Sequence, residues 1–388
     1  MEETETKIEE SGKRSRSGFW FLVALSLLLV VVFVYYLPLR FENQAGRDHD
    51  PTGMVMDDGI MEEEEEGHAH HALPDSSLLL AQLPLRTVDT RVDSLPFTVL
   101  ENGVKEFKLE ASEFRWEYEP GSWVHVWGYN GQIPGPEIRV TDGDRVRVVV
   151  TNKLPDATTV HWHGVDLEWQ ADGVPNVTQK PIGVGETYVY EFTAKPAGTR
   201  FYHAHGKDHT TGAQQLDMGL SGAFIVEPTE ETLVYDKEYT LVLDEWNILD
   251  GVNSALTHIH GAATEGAVPE FNTFTINGRI FPYIDNVMVE EGEVVRVRFI
   301  NAGTSAFHPM HLHGHSFEVA ALDGFVVPEA ARDRRNTITV HPGETVDILI
   351  YADNPGPWLF HCHHVHHAAA GMITLFQYNG YEPVGQLR

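Results

Sequence analysis

One histidine pattern occurs twice in this chain, and it restricts the available folds more than any other feature. His161-Trp162-His163-Gly164 returns 150 residues on as His311-Leu312-His313-Gly314, and His203-Ala204-His205 returns 158 residues on as His361-Cys362-His363. The repeat extends past the histidines, since Asn130-Gly131 and Asn277-Gly278 lie 147 apart and Gly143 and Gly292 lie 149 apart. Self-similarity at a nearly fixed spacing marks a duplicated unit. Short alternating runs follow the glycine turns, as in Arg145-Val146-Arg147-Val148 and Val295-Arg296-Val297-Arg298, which is the signature of strands. No long amphipathic helix stands out. The expectation is an all-β chain with two homologous domains, 95–230 and 236–380, each long enough for a sandwich of roughly seven or eight strands.

Charge excludes one class of partner. Acids outnumber bases 57 to 27, giving a formal charge of −30, whereas nucleic-acid binding needs Lys and Arg to neutralise phosphates. A single cysteine, Cys362, permits no intramolecular disulfide, so the thiol must be inert, reactive or a ligand. The 22 histidines bunch rather than scatter, and the bunching points to metal.

The amino terminus reads as an address. Gly18 to Leu37 is apolar apart from Ser26, long enough for a helix that crosses a bilayer, with Trp20 near one end and Tyr35 and Tyr36 near the other. Lys7, Lys13, Arg14 and Arg16 precede it, which places residues 1–17 in the cytoplasm and the domains outside the membrane. A cleaved signal peptide is the competing reading, but Tyr35-Tyr36-Leu37-Pro38 is a poor cleavage site. Residues 38–94 read as an acidic linker, carrying Glu62 to Glu66 beside His68, His70, His71, Met54, Met56 and Met61. Thioether and imidazole suit copper, so the linker either gathers that metal or is a solvated spacer.

Alternate residues of a strand share a face, so a His-x-His pair offers two imidazoles to one side. A single pair is weak evidence, but four pairs in matching repeat positions describe a metal cluster. Cys362 refines the metal: a soft thiolate with His367 and Met372 downstream, and His308 as the candidate from a distant segment, is the donor set of a blue-copper site. Zinc accepts Cys and His too, yet one thiolate with a thioether among many imidazoles is not an economical zinc site.

His308-Pro309-Met310-His311-Leu312-His313, and His361-Cys362-His363 running through His367 to Met372, resemble the two carboxy-terminal copper motifs of the multicopper oxidases. The two amino-terminal motifs are also present, so the resemblance spans roughly residues 95 to 380. It implies two tandem cupredoxin domains and four coppers per functional unit. It also implies that His308, Cys362, His367 and Met372 ligate a type 1 ion, that His161 and His311 hold a type 2 ion, and that His163, His203, His205, His313, His361 and His363 hold a type 3 pair. The resemblance assigns Asp172 to proton delivery near the cluster, the alternative being a turn aspartate in Asp172-Gly173. Leu167 departs from the tyrosine that many small laccases carry at that position.

The repeat locates the blue copper. Ala204 stands opposite Cys362, Gln214 opposite Met372 and Thr158 opposite His308, while His209 alone is retained opposite His367. The first domain therefore keeps four cluster imidazoles and lacks a type 1 site. Four imidazoles on each domain must meet to form one three-copper cluster, and a head-to-tail ring of three copies would bring them together. Two-domain laccase-like oxidases are similar trimers.

Four functions are compatible with these motifs. They are a laccase-type oxidase of phenols or aromatic amines, a metallo-oxidase of Cu(I), Fe(II) or Mn(II), a copper nitrite reductase, and a non-catalytic copper store. Eight cluster histidines disfavour the nitrite reductase, and the Cys-His connection is superfluous in a store. His258-Ile259-His260-Gly261 imitates the motif but has no counterpart in the other domain and reads as a loop. His315, His364 and His366 read as supporting or surface residues.

Overall fold

The computed structural model describes residues 82–87, 94–249, 252–253, 255 and 271–385, the side chains of His209, Thr210 and Asn253 apart. The segments expected as tail (1–17) and anchor (18–37), most of the linker, and His258 and His260 lie outside the described residues. Among the described residues no helix is long and apolar enough to cross a membrane.

Two β-sandwiches follow from the two repeats. In the first, one sheet runs in the order Thr187–Thr193, Arg145–Asn152, Lys105–Glu119, Ser122–Tyr129, and the facing sheet in the order Gly135–Thr141, Ser221–Glu227, Gly198–Ala204, Val160–His163. The second has a sheet ordered Thr273–Ile276, Lys237–Trp246, Val294–Asn301, Thr345–Tyr351, Phe317–Leu322. Its facing sheet is ordered Val287–Val289, Ile373–Tyr378, Pro357–Cys362, His308–Leu312, Thr337–Val340. The two histidine-bearing sheets share strand order and sense, since the first pair in each is parallel and the next two antiparallel. The repeat read from the sequence is thus a repeat of topology, in a cupredoxin-like all-β fold.

The duplicated turns are also the same local structure. Asn130 and Asn277 both sit at φ 53°, followed by Gly131 at 71° and Gly278 at 72°, the left-handed pair that a tight hairpin demands of Asn-Gly. One feature crosses the expected boundary at residue 236. Strands Ile248–Leu249 and Val252–Asn253, from the start of the second repeat, join the first domain's sheet beside Ser122–Tyr129.

Alternation builds two principal cores. Val148, Val150, Val160, Trp162, Tyr202 and Phe224 fill the first, and Val297, Phe299, Met310, Leu312, Phe360 and Phe376 the second. Between them Phe201, Ala223 and Ile225 pack on Val242, Ile300 and Ala302, a smaller apolar seam that joins the domains. Beside that seam Asp347 of the second domain pairs with Arg296 at 2.6 Å and Arg298 at 3.4 Å, and accepts a hydrogen bond from Thr199 of the first at 2.7 Å. These contacts offset part of the cost of burying the charges.

Candidate metal centre

Period-two alternation assigns each ligand candidate to a side of its strand. In His308–Leu312, His308, Met310 and Leu312 are buried on the core side, while His311 turns the other way. In Pro357–Cys362, Phe360 and Cys362 point into the core and His361 points out. Antiparallel register sets His311 opposite His361 and Met310 opposite Cys362. Two adjacent residues of one strand therefore serve two separate sites.

The inner site gathers His308, Cys362 and His367, whose ligating atoms all lie within 4.8 Å of one another. Cys362 Sγ is 3.9 Å from His308 Nδ1 and 3.7 Å from His367 Nδ1. Met372 is fully buried in the same core, and its carbonyl accepts from the Cys362 amide at 3.1 Å. Burial pushes the thiol up to about 12 and the His367 imidazole down to about 3, the latter helped by neighbouring His308. A neutral His367 imidazole and a thiol that ionises only against a cation, with His308 beside them, form a pocket suited to a soft metal ion.

A residue outside the motifs completes this site. Glu245, fully buried on Lys237–Trp246, accepts from the Ser305 and Ala306 amides at 3.1 and 2.9 Å and meets His308 Nε2 at 3.3 Å. An Nε2–H held by this carboxylate leaves Nδ1 as the lone-pair nitrogen facing Cys362. His308 and Glu245 are 63 positions apart, and no local motif announces the pair.

Two histidine quartets lie on the outward faces. In the first domain His161 is opposite His203 in register, and its ring lies 5.7, 5.3 and 5.5 Å from those of His163, His203 and His205. Ligating atoms of His161, His163 and His203 fall within 4.8 Å of one another. In the second domain the His311 ring lies 4.9, 5.7 and 5.4 Å from those of His313, His361 and His363. His313 Nε2 and His361 Nε2 approach to 3.1 Å. Burial, then repulsion from His161, lowers His163 to about 4 and His203 far below its ordinary value. Burial likewise lowers His313 and His361. These imidazoles are neutral at neutral pH, the form that binds metal.

Backbone carbonyls orient the quartets in matching ways. His161 Nδ1–H donates to the Asp172 carbonyl and His311 Nδ1–H to that of Asn336, both at 2.8 Å. His203 and His361 donate likewise to Ala204 and Cys362, at 3.0 and 2.9 Å. Each leaves Nε2 for a metal. Asp172 also sets Oδ1 3.3 Å from His161 Nδ1. Gly173 at φ 82° turns the chain there, and a Cβ on it would lie 1.8 Å from the Val160 carbonyl oxygen.

The first domain's counterpart of the inner site is closed by hydrogen bonds. Thr158 donates to Gln215 Oε1 at 2.6 Å, and Gln215 Nε2 donates to the Ala157 carbonyl at 2.8 Å. Gln214, aligned with Met372 by the repeat, is buried nearby with its amide nitrogen unpartnered. His209 is the one position here whose side chain is not described.

Family models described as "Multicopper oxidase" match residues 110–231 and 254–380. The chain belongs to the multicopper oxidase family. Among its relatives, Laccase-15 of Oryza sativa subsp. japonica is 33% identical over 244 residues, covering 58% of this chain and 38% of the rice protein. Multicopper oxidase MmcO of Mycobacterium tuberculosis is 30% identical over 258 residues, covering 60% of this chain and 49% of its own. The chain thus spans less than half the length of either. The blue copper oxidase of Nitrosomonas europaea has a similar solved structure, with 34% identity and a TM-score of 0.62 over 70% of this chain and 85% of that one. Copper is the metal of this multicopper oxidase, and a buried Cys-His-His set beside two imidazole quartets is chemically suited to it.

His315, His364 and His366 lie outside these donor sets. His315 accepts from the Tyr378 hydroxyl at 2.7 Å and donates to the His313 carbonyl at 3.2 Å, so it props the second quartet's loop. His364 and His366 flank the inner site at the surface end of its helix, Val365–Ala369.

Proposed function

We propose that the chain is a laccase-like oxidase that takes single electrons from a phenol or aromatic amine and uses four of them to reduce dioxygen to water. The observation carrying this reading is the alternation at Cys362: the thiol faces His308 and His367, while adjacent His361 faces the quartet of His311 and His313. His308, Cys362, His367 and Met372 would hold a type 1 copper. His161 and His311 would hold type 2, and His163, His203, His205, His313, His361 and His363 type 3. Bound copper supplies the one-electron couple that collects reducing equivalents and passes them to oxygen. The protein fixes the tautomers, through Glu245 at His308 and backbone carbonyls at the quartets, and keeps the thiol dry. Asp172, with Oδ1 3.3 Å from His161 Nδ1, would pass protons toward the cluster.

Each quartet carries half of the cluster's donors, and we infer that subunits complete one another in a homotrimer. A cavity of about 410 Å³ beside His311 and His313 is lined by second-domain residues alone, among them Arg334, Asn336 and Asp353. We take that concavity as the seat for side chains from the first domain of another copy. A monomeric mass for active copper-loaded enzyme would exclude this. We further propose that segment 18–37 anchors the protein in the membrane with its amino terminus cytoplasmic and its domains outside; protease digestion of sealed cells would leave the domains intact if that orientation were wrong.

The deciding experiment is oxygen consumption by wild type and Cys362→Ser with a dimethoxyphenol, compared with Cu(I), Fe(II) and Mn(II). Turnover of the phenol by wild type alone is expected. Equal consumption by both variants would refute the mechanism, and turnover of metal ions alone would make the enzyme a metallo-oxidase.

A further inference from the structure

We propose that electrons enter the inner site through His364, and that the face of His367 is not available to the donor. This rests on the oxidase reading above. The His367 imidazole is the middle ring of three: Phe274 stacks on one side at 3.9 Å and 12°, and His364 on the other at 3.8 Å and 24°. Phe274 is buried, so that side is closed by the domain's own core. An imidazole has two faces, and both are occupied. A planar donor that stacks on the site therefore does so over the outer face of His364.

The surroundings of His364 fit that role. Its ring is half-buried, with His366 5.9 Å away and Phe307 standing edge-on at 6.4 Å and 82°. Phe307 is 51% exposed and Val365 61%, so apolar side chains rim the outer ring. His364 Nδ1 is buried without a hydrogen-bond partner, so no polar contact at that atom competes with ring stacking. A phenol arriving here loses one electron to the oxidised type 1 site and one proton to solvent, leaving a phenoxyl radical. His364 mediates the transfer through the stack and keeps its own oxidation state. As the outer slab of the sandwich it also fixes the plane of His367, whose Nδ1 then faces Cys362 Sγ at 3.7 Å.

The test uses the copper-loaded full chain, wild type against His364→Leu, which keeps volume without a ring, and His364→Phe, which restores one. Anaerobic mixing with dimethoxyphenol, followed by loss of the blue absorption, isolates electron entry from oxygen reduction. His364→Leu should slow bleaching by about tenfold and His364→Phe should recover most of it. In the fully reduced, diamagnetic protein, NMR should find the His367 ring protons shifted by ring currents in wild type and His364→Phe, and relaxed in His364→Leu. Wild-type bleaching rates in His364→Leu, or an unchanged His367 signal there, would overturn the proposal alone. A blue wild type that no phenol bleaches would overturn the oxidase reading and this proposal together.

Discussion

Glu245 Oε2 lies 3.3 Å from His308 Nε2, with both side chains fully buried. The same carboxylate is tied down by the Ser305 and Ala306 amides, so it can accept a hydrogen bond from His308 but cannot follow a ring that turns. Glu245→Gln keeps an oxygen for the two amides and presents an N–H₂ to His308. Ligation through Nδ1 requires hydrogen on Nε2, so donor would face donor. Loss of such an outer partner costs about 10- to 100-fold in metal affinity. Copper titration should show that loss in the blue band while the cluster still fills; an unchanged blue-band affinity would remove Glu245 from the site.

Asp347 joins the two domains through charges that water does not reach. It faces Arg296, Arg298 and Thr199 at 1% exposure of its own side chain. Asp347→Ala would strand two guanidinium groups, one retaining Glu231 and the other Glu238 at the rim. Removing one partner of a buried pair typically costs about 3–5 kcal/mol. Urea denaturation of the variant should show a loss of that size, and a change under about 1 kcal/mol would mean that the seam does not depend on this network.

The sequence carried the parts of this structure that depend on local periodicity. Asn130-Gly131 and Asn277-Gly278 require left-handed turns wherever they occur, and alternation around Cys362 separates its face from that of His361 before any strand is paired. Contacts set by strand register across a sandwich were not legible. Glu245 reaches His308 from 63 residues away, Gln215 rather than its neighbour Gln214 bonds to Thr158, and Ile248–Leu249 and Val252–Asn253 leave the second repeat for the first domain's sheet. His364 read only as a supporting or surface residue because nothing in its one-dimensional setting places Phe274 behind His367.

Gly173 tests whether the carbonyl of Asp172 positions His161. At φ 82°, with the Val160 oxygen 1.8 Å from where a Cβ would sit, alanine is excluded both by backbone conformation and by contact. Gly173→Ala must move either Val160, the residue before His161, or the turn that supplies the Asp172 carbonyl. The expected result is a fold that survives with a destabilisation of about 1–3 kcal/mol and with less type 2 copper by electron paramagnetic resonance. Full type 2 occupancy in the variant would show that the carbonyl is dispensable.

Asp217 gives the domain interface a pH dependence of definite sign. Burial, reinforced by the nearby Glu245 carboxylate, raises its carboxyl from an ordinary 3.8 to about 7, even though Thr304 of the second domain donates to it at 2.6 Å. Between those values the folded protein keeps a proton that the unfolded chain has released, so this group's contribution to stability falls as pH rises from about 4 to about 7. Below that window both states are protonated and the contribution is complete; above it both are ionised and it is lost. Asp217→Asn stays neutral throughout and still offers Thr304 an oxygen. Urea denaturation of metal-free protein should therefore show the variant gaining on wild type by roughly 2–4 kcal/mol between pH 4 and 8. A difference that stays flat across the window would mean that Asp217 ionises as easily in the folded protein as in the unfolded chain.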